Sequence, residues 1–323
     1  MNMYRPGTLL ATSVLVLAAS LIGTASAQSF PAKPMRIFTV EAGGALDITV
    51  RSMAQVMAPA LGQPIVIENR PSQTHPQEAV LKGTPDGHVL LYWANPLWIT
   101  PFLRNVNYDP VRDFAPITLA AKAPSAVVVP ASLSARTVGE FVQMAKAAPG
   151  TLNFASTTAG STPHLAAVLF ATQAGIDLTQ ITYKGTVQGV NDLMAARVHI
   201  MFPSIAAVIS NVRAGKLRAL AVTSTEASGL LPGVPTVAAS GYPDYEAVSS
   251  HALFAPAGTP TAVIQKIHQE AVHALQRADV KDKLFQIGVD VAGSSPEQLA
   301  ATMKSEMARM GKLIRDKGIR AEN

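Results

Sequence analysis

Apolar positions along this chain follow two alternating spacings. Residues 35–40, 64–68 and 88–93 are short runs rich in β-branched and aromatic residues, and each predicts a strand. Residues 47–61 repeat their apolar positions at helical spacing and stop at Gly62, which predicts an amphipathic helix with a glycine end. A short helical stretch runs to Lys82. Thr84-Pro85-Asp86-Gly87 then predicts a turn, because Pro presets φ and Gly accepts positive φ.

The second half keeps the rhythm. Thr137 and Glu140 form a capping-box pattern that opens a helix ending at Pro149-Gly150. Strands are predicted at 152–155, 180–183, 199–202 and 217–223. Helices are predicted from Thr162-Pro163 to Ala174, over 187–196 and over 204–214. Thr259-Pro260 opens a helix with Val263, Ile264, Ile267, Ala271 and Leu275 on one face. Ser295-Pro296-Glu297-Gln298 is a capping box that opens a last helix to about Lys317. The βαβα order predicts parallel sheets covered by helices. Residues 114–129 and 248–256 break it: both are long, apolar and without a helix. Such segments suit crossings between two lobes, which divides the chain into 28–124, 125–249 and 250–323, with both ends in the first lobe.

Residues 1–27 stand outside this pattern. Arg5 precedes an apolar run from Leu9 to Ile22, and Ala25-Ser26-Ala27 is an A-x-A site. This predicts a secretory signal peptide cleaved after Ala27, and export to the periplasm. The chain has 323 residues, 48% hydrophobic and 15% charged, and no cysteine. Disulfides, thiolate chemistry and a lipidated cysteine are thereby excluded, and the core must carry stability. The formal charge of +5 falls by one when Arg5 leaves with the leader. The basic residues are scattered, so no nucleic-acid partner is expected.

Candidate chemistry narrows by elimination. Gly160 is followed by Ser161 with no lysine in a Walker position, and the same stretch lacks the glycines of a nucleophile elbow. The seven histidines have no metal-ligand spacing, and no acid pair suits acid–base work. No catalytic residue, metal or cofactor is expected. Four loops remain, each joining a strand to a helix N-terminus and rich in small residues: Gly43-Gly44-Ala45, residues 157–162, Tyr183-Lys184-Gly185 and Pro203-Ser204. In a parallel sheet they lie at the carboxyl ends of strands, where backbone N–H groups and the helix dipole favour an anion. Ordinary helix capping, by Thr162 for instance, is the alternative for any one of them.

The motifs PAKPMRI, GQPIVIENRP, PDGHVLL, YDPVRDFAPI, LNFAST followed by HL, YKG, AGKLRALAVTS, LPGVPT and FAPAGTP occur in order over residues 31–319. In this combination the chain resembles the periplasmic substrate-binding proteins of tripartite tricarboxylate transporters, the Bug family. The resemblance implies an α/β, type II periplasmic-binding-protein fold: two α/β lobes joined by two crossover segments, with a ligand cleft between them. It implies a monomeric, non-enzymatic protein that captures a small molecule, often a carboxylate, for membrane transporter subunits. The matching positions are Gly43, Gly44 and Asp47, then Ser156, Gly160, Ser161, Thr162 and His164, then Tyr183, Lys184 and Gly185. Thr157 and Ala45 belong to the same loops. Asp47 and His164 either touch the ligand or brace their loops, and Lys184 either joins them or points to solvent.

The chain departs from the family pattern in four places, all expected in cleft loops. VEAGGALD is one residue shorter than usual and sets Glu41 in place of an apolar residue. SQTHPQE is two residues shorter than the usual glycine-rich stretch. Pro203-Ser204 replaces an acid or amide pair, and Ser250-His251 replaces an aromatic pair. Glu41 either points out to solvent or selects the ligand; pointing in, its carboxylate disfavours a second one on the ligand, so a monocarboxylate or polar uncharged solute is expected over a citrate-like one. A sensor of the same fold that signals to a membrane receptor is the alternative role. An exported hydrolase would need a nucleophile and a base, which the sequence lacks.

Overall fold

A computed structural model describes residues 30–40, 42–70 and 75–321. The leader, its cleavage site and Glu41 lie outside them. Two sheets form, each flanked by helices. The first contains β1 (Met35–Thr39), β2 (Ile65–Asn69), β3 (Val89–Ala94), β4 (Phe114–Pro124), β10 (Val248–Pro256) and β11 (Asp290–Val291), in the order β11-β4-β10-β3-β1-β2. The second contains β5 (Ala126–Pro130), β6 (Asn153–Ser156), β7 (Thr179–Thr182), β8 (Ile200–Met201) and β9 (Leu217–Val222), in the order β7-β6-β8-β5-β9.

Both sheets are mixed, not parallel throughout. Strands joined through helices pair in parallel, as β1 does with β2 and β3, and β6 with β7 and β8. Strands that enter from the other lobe run antiparallel: β10 against β3 and β4, and β5 against β8 and β9. A segment returning from the opposite lobe arrives from the far end of the sheet, so its direction is reversed. This is a two-lobe fold of the type II periplasmic-binding-protein class.

Alternation in β3 shows how the first sheet is buried on both faces. Leu90 and Tyr92 join one core with α1 (Ala45–Leu61), α8 (Thr261–Gln276) and α9 (Ala278–Gln286). Leu91 and Trp93 join the other with α2 (His75–Leu81), α3 (Pro96–Leu103) and α10 (Pro296–Asp316). That second core continues into the other lobe through Phe141 of α4 (Val138–Ala147), Phe170 of α5 (Thr162–Ala174) and Phe202. On the far face of the second sheet, α6 (Thr186–Met194) and α7 (Ile205–Arg213) cover Val128, Met201 and Val222.

The sheets meet at three backbone positions. Only Ser125 separates β4 from β5. Its N–H donates to the Thr223 hydroxyl at 2.8 Å, and its carbonyl accepts from the Thr223 N–H at 2.9 Å. Ala247 N–H donates to the Thr223 carbonyl at 3.0 Å, just before β10 begins. Val248 and Ser249 already pair with Pro124 and Ala123 of the first sheet.

Several local expectations change. Ser161, not Thr162, holds the N-cap position of α5, and its side chain makes no capping bond. Thr137 caps α4 by accepting from Glu140 N–H, but the Glu140 carboxylate reaches back to Arg136 N–H, one residue earlier than a capping box requires. The Ser295 box is complete. Helices α3 and α9 have no counterpart in the sequence pattern.

Candidate functional site

The first candidate loop follows β1. Gly43 takes φ +89°, a left-handed conformation that glycine adopts freely, and its N–H donates to Asp47 Oδ2 at 3.0 Å. Asp47 is only 4% exposed, and its Oδ1 accepts from Arg51 Nε at 2.9 Å and Asn69 Nδ2 at 2.8 Å. Burial alone would raise this carboxyl group's pKa. The Gly43 amide, Arg51 and Asn69 outweigh it and hold the pKa below the usual aspartate value. All of Asp47's bonds are therefore spent on shaping the loop. Beyond the Cα atoms of Gly43 and Gly44 lies open space, and Gly44 caps α1 without a side-chain bond. Ala45 is half-buried.

The second loop follows β6. Ser156 is fully buried, accepts from Gln180 Nε2 at 2.9 Å and donates to the Thr157 carbonyl at 3.2 Å. Gly160, at φ +81°, donates its N–H to His164 Nδ1 at 3.1 Å. His164 must be neutral to accept this bond, and burial favours that state, with Gln180 acting weakly against it. The Thr157 hydroxyl donates to Ser161 Oγ at 3.2 Å. Thr157, Ser161 and Thr162 remain half-buried at an α5 N-terminus that no side chain caps.

The other two loops are quieter. The Tyr183 hydroxyl donates to Asp192 Oδ2 at 2.8 Å, and its pKa is pushed up to about 12, first by burial and then by Asp192. Lys184 is exposed, and Gly185 caps α6 with open space beyond it. Pro203 is buried, and its carbonyl accepts from Ala126 N–H at 2.9 Å. Ser204 is exposed at the start of α7 and makes no capping bond. All four helices that follow these loops begin without a side-chain cap, although two have a serine in position to provide one. The capped helices, α4 and α10, start elsewhere.

The structure brings the second loop against the first lobe. An open cleft of about 660 Å³ is bordered by residues 158–162, Gln180 and Thr182 on one side. Pro96, Thr100, Leu103 and Arg104 border it on the other. A narrow side pocket of about 30 Å³ continues from it past Gly160 and Thr162 to Asn95, Glu246, Glu306 and Arg309. Neither void touches Gly43, Gly44, Tyr183, Lys184, Gly185, Pro203 or Ser204. A Cβ added at Gly160 would lie 2.5 Å from the Leu103 side chain, so the second loop and α3 are in intimate contact.

Helix α3 is the part of the site that sequence reasoning missed. Asn95-Pro96 was its available signal, a polar residue before a proline at a first helical turn. Ser250 and His251 are also displaced from expectation. They lie inside β10, at 0% and 3% exposure, not in a cleft loop. The Ser250 hydroxyl donates to Glu306, and burial lowers the His251 pKa to about 4. Among the described residues no cluster of three potential metal ligands occurs, and no helix is long and apolar enough to cross a membrane.

Residues 49–319 match the tripartite tricarboxylate transporter family receptor, TctC. The chain belongs to this family. A UPF0065 protein from the tcbD-tcbE intergenic region of Pseudomonas sp. strain P51 is 36% identical over 94% of this chain and 92% of its own length. Protein BugT of Bordetella pertussis is 30% identical over 98% and 99%. Among solved structures, Rpa4515 of R. palustris with adipate is 30% identical, covers 90% of this chain and 99% of its own, and superposes with a TM-score of 0.74. The receptor is thus a periplasmic solute-binding protein of a tripartite tricarboxylate-type transport system, and membrane components of that system are its partners.

Proposed function

We propose that the interlobe cleft captures a small carboxylate-bearing solute and that its closed form is what the membrane components recognise. The observation that carries this reading is the uncapped N-terminus of α5, with the Ser161 and Thr162 side chains, on the wall of a cleft between lobes; Thr157 reaches it only through its bond to Ser161. The relative solved with adipate supports the ligand class. Gly43, Gly44, Ala45, Gly185 and Ser204 join the site when the lobes approach, whereas Asp47, Ser156, His164, Tyr183 and Pro203 hold the loops that do so. Glu41 lies outside the described residues, and its selection against a second carboxylate is part of the same proposal.

Residues 28–124 and 250–323 form one rigid lobe in this scheme, and 125–249 the other. The Ser125–Thr223–Ala247 contacts are the hinge. The mature receptor begins after Ala27, is monomeric and performs no chemistry on its ligand. Calorimetry with C2–C6 mono- and dicarboxylates tests the reading. At least one should bind, and Ser161→Leu should weaken it by about 1–3 kcal/mol, the cost of an unsatisfied charged acceptor. No carboxylate binding to wild type, or unchanged affinity in Ser161→Leu, would remove this loop from the function.

A further inference from the structure

A carboxylate is buried where the lobes meet. Glu306 of α10 is 7% exposed and accepts from three donors on two other elements. Trp98 Nε1 of α3 donates at 2.9 Å, Ser250 Oγ of β10 at 2.8 Å, and Asn95 Nδ2, at the start of α3, at 3.5 Å. Asn95 Nδ2 also donates to the Val248 carbonyl at 3.1 Å, which fixes its amide orientation between two acceptors. One turn along α10, the Arg309 guanidinium donates to the Glu246 carbonyl, and the Glu246 carboxylate pairs with Lys122 of β4 at 2.8 Å. The return segment 246–250 is thus bound from three sides: by α10, by α3 and by the outgoing crossing strand.

A carboxyl group in such a place is costly: burial raises its pKa, the Ser250 and Trp98 donors and Arg309 oppose that only in part, and well-packed apolar residues would often serve stability as well or better. What this carboxylate does that an apolar side chain cannot is join two specific neighbours. Helix α3 supplies Pro96, Thr100, Leu103 and Arg104 to the cleft wall. Strand β10 is the first element after the return crossing. The side pocket lies between this junction and Gly160, Thr162 and Leu165 of the other lobe. This narrow seam therefore runs between a part tied to the first lobe and the part that would swing.

We infer that Glu306 is a positioning residue for the cleft: it clamps α3 to the return strand, so that the first-lobe wall meets the second loop in one fixed pose as the lobes close. This rests on the proposed cleft reading, but part of its readout needs no ligand. Removing the clamp frees α3 to shift without unfolding the lobe.

The test compares Glu306→Gln, which keeps shape and loses the all-acceptor end, with Met303→Ala, a buried apolar truncation one turn away on the same helix. Each is placed in a Trp93→Phe background, so that emission reports Trp98. Whichever carboxylate binds wild type tightest in the C2–C6 panel serves as probe. Glu306→Gln should weaken that probe about tenfold and red-shift ligand-free Trp98 emission, with rescue in neither measurement by added stabilising osmolyte. Met303→Ala should lower stability yet keep affinity within twofold. Wild-type affinity and emission in Glu306→Gln would overturn the inference. So would a loss of affinity in Met303→Ala that scales with its loss of stability, because the role would then be structural only. If no carboxylate binds wild type, the cleft reading fails. The emission shift then decides the clamp alone: its absence overturns it, and its presence supports it.

Discussion

In the loop after β1, Gly43 at φ +89° donates its N–H to Asp47; in the loop after β6, Gly160 at φ +81° donates to His164. Both acceptors stand four residues on, in the third position of the following helix. The same brace is completed differently. Asp47 is charged and tied to Arg51 and Asn69 within its own lobe, and the glycine edge faces open space. His164 is neutral, its ring lies 6.1 Å from that of Phe154, and its glycine abuts Leu103 of the other lobe. The first loop thus keeps its shape whatever the second lobe does. The second is shaped partly by the lobe it closes on, which suits the loop that must register closure.

Removing the braces tests this difference most strongly. Asp47→Ala takes one acceptor from each of Arg51, Asn69 and the Gly43 N–H; Arg51 keeps Asn69 Oδ1 at 2.6 Å and Asn69 Nδ2 keeps the Val40 carbonyl at 2.6 Å. Arg51 is 44% exposed and partly rehydrates, so a loss of about 3 kcal/mol is expected, at the low end for breaking a buried charge pair. His164→Ala strands a single N–H and some ring packing, and about 2 kcal/mol is expected. Urea unfolding measures both. A larger loss in His164→Ala would reverse the assignment of the charged brace as the more rigid one.

The glycines give a smaller and more local contrast. Gly43→Ala incurs only the left-handed backbone penalty, about 1 kcal/mol, because nothing lies within 4 Å of the added carbon. Gly160→Ala adds a 2.5 Å encounter with Leu103, for about 2 kcal/mol in all. Leu103→Ala should recover part of the Gly160→Ala cost in a double-mutant cycle and none of the Gly43→Ala cost. Equal coupling in both cycles would show that Leu103 does not shape the second loop.

The contrast also shows what a sequence can reveal. Both braces span four residues, and their participants, Asp47 and His164, are visible beside their glycines with bracing open as an alternative. Strands β1 and β3 are legible as nearly continuous apolar runs because both faces of the sheet are buried there, and helices α1, α8 and α10 because one stripe of each is buried. Helix α3 escapes because Pro101 sits inside it and its apolar residues point nearly all round, being covered by α10 and the core that runs into the second lobe. Helix α9 escapes because a single extended residue, Arg277, separates it from α8. The Glu306 junction was invisible for another reason: its members lie at 95, 98, 250 and 306, and only the fold brings them together. Ser250-His251 was misplaced because the family pattern set it in a cleft loop, although the apolar run over 248–256 already put it inside an extended segment.

Acid offers the finest separation of the two loops. The His164 pKa lies below its usual 6.5, mainly through burial, so the folded protein binds fewer protons there than the unfolded chain does. Its contribution is complete above about pH 6.5 and is lost as pH falls toward the folded value. A protonated Nδ1 can no longer accept from Gly160 N–H, so the loss appears at that amide. The Asp47 pKa lies below 3.8 despite burial, because the Gly43 amide, Arg51 and Asn69 favour the ionised form. Its contribution is complete above that value and is lost only as pH falls beneath it. Between pH 6.5 and about 4, the second loop should therefore loosen while the first stays closed. Buried His251 titrates toward about 4 and weakens the whole fold across the same window, so global stability cannot separate the loops. Amide exchange resolved to single residues can. After correction for intrinsic rates, Gly160 should lose protection from pH 7 to pH 5 while Gly43 keeps it. Parallel loss at both amides would mean that acid acts through His251 and the common core, and that the neutral brace confers no separate sensitivity on the second loop.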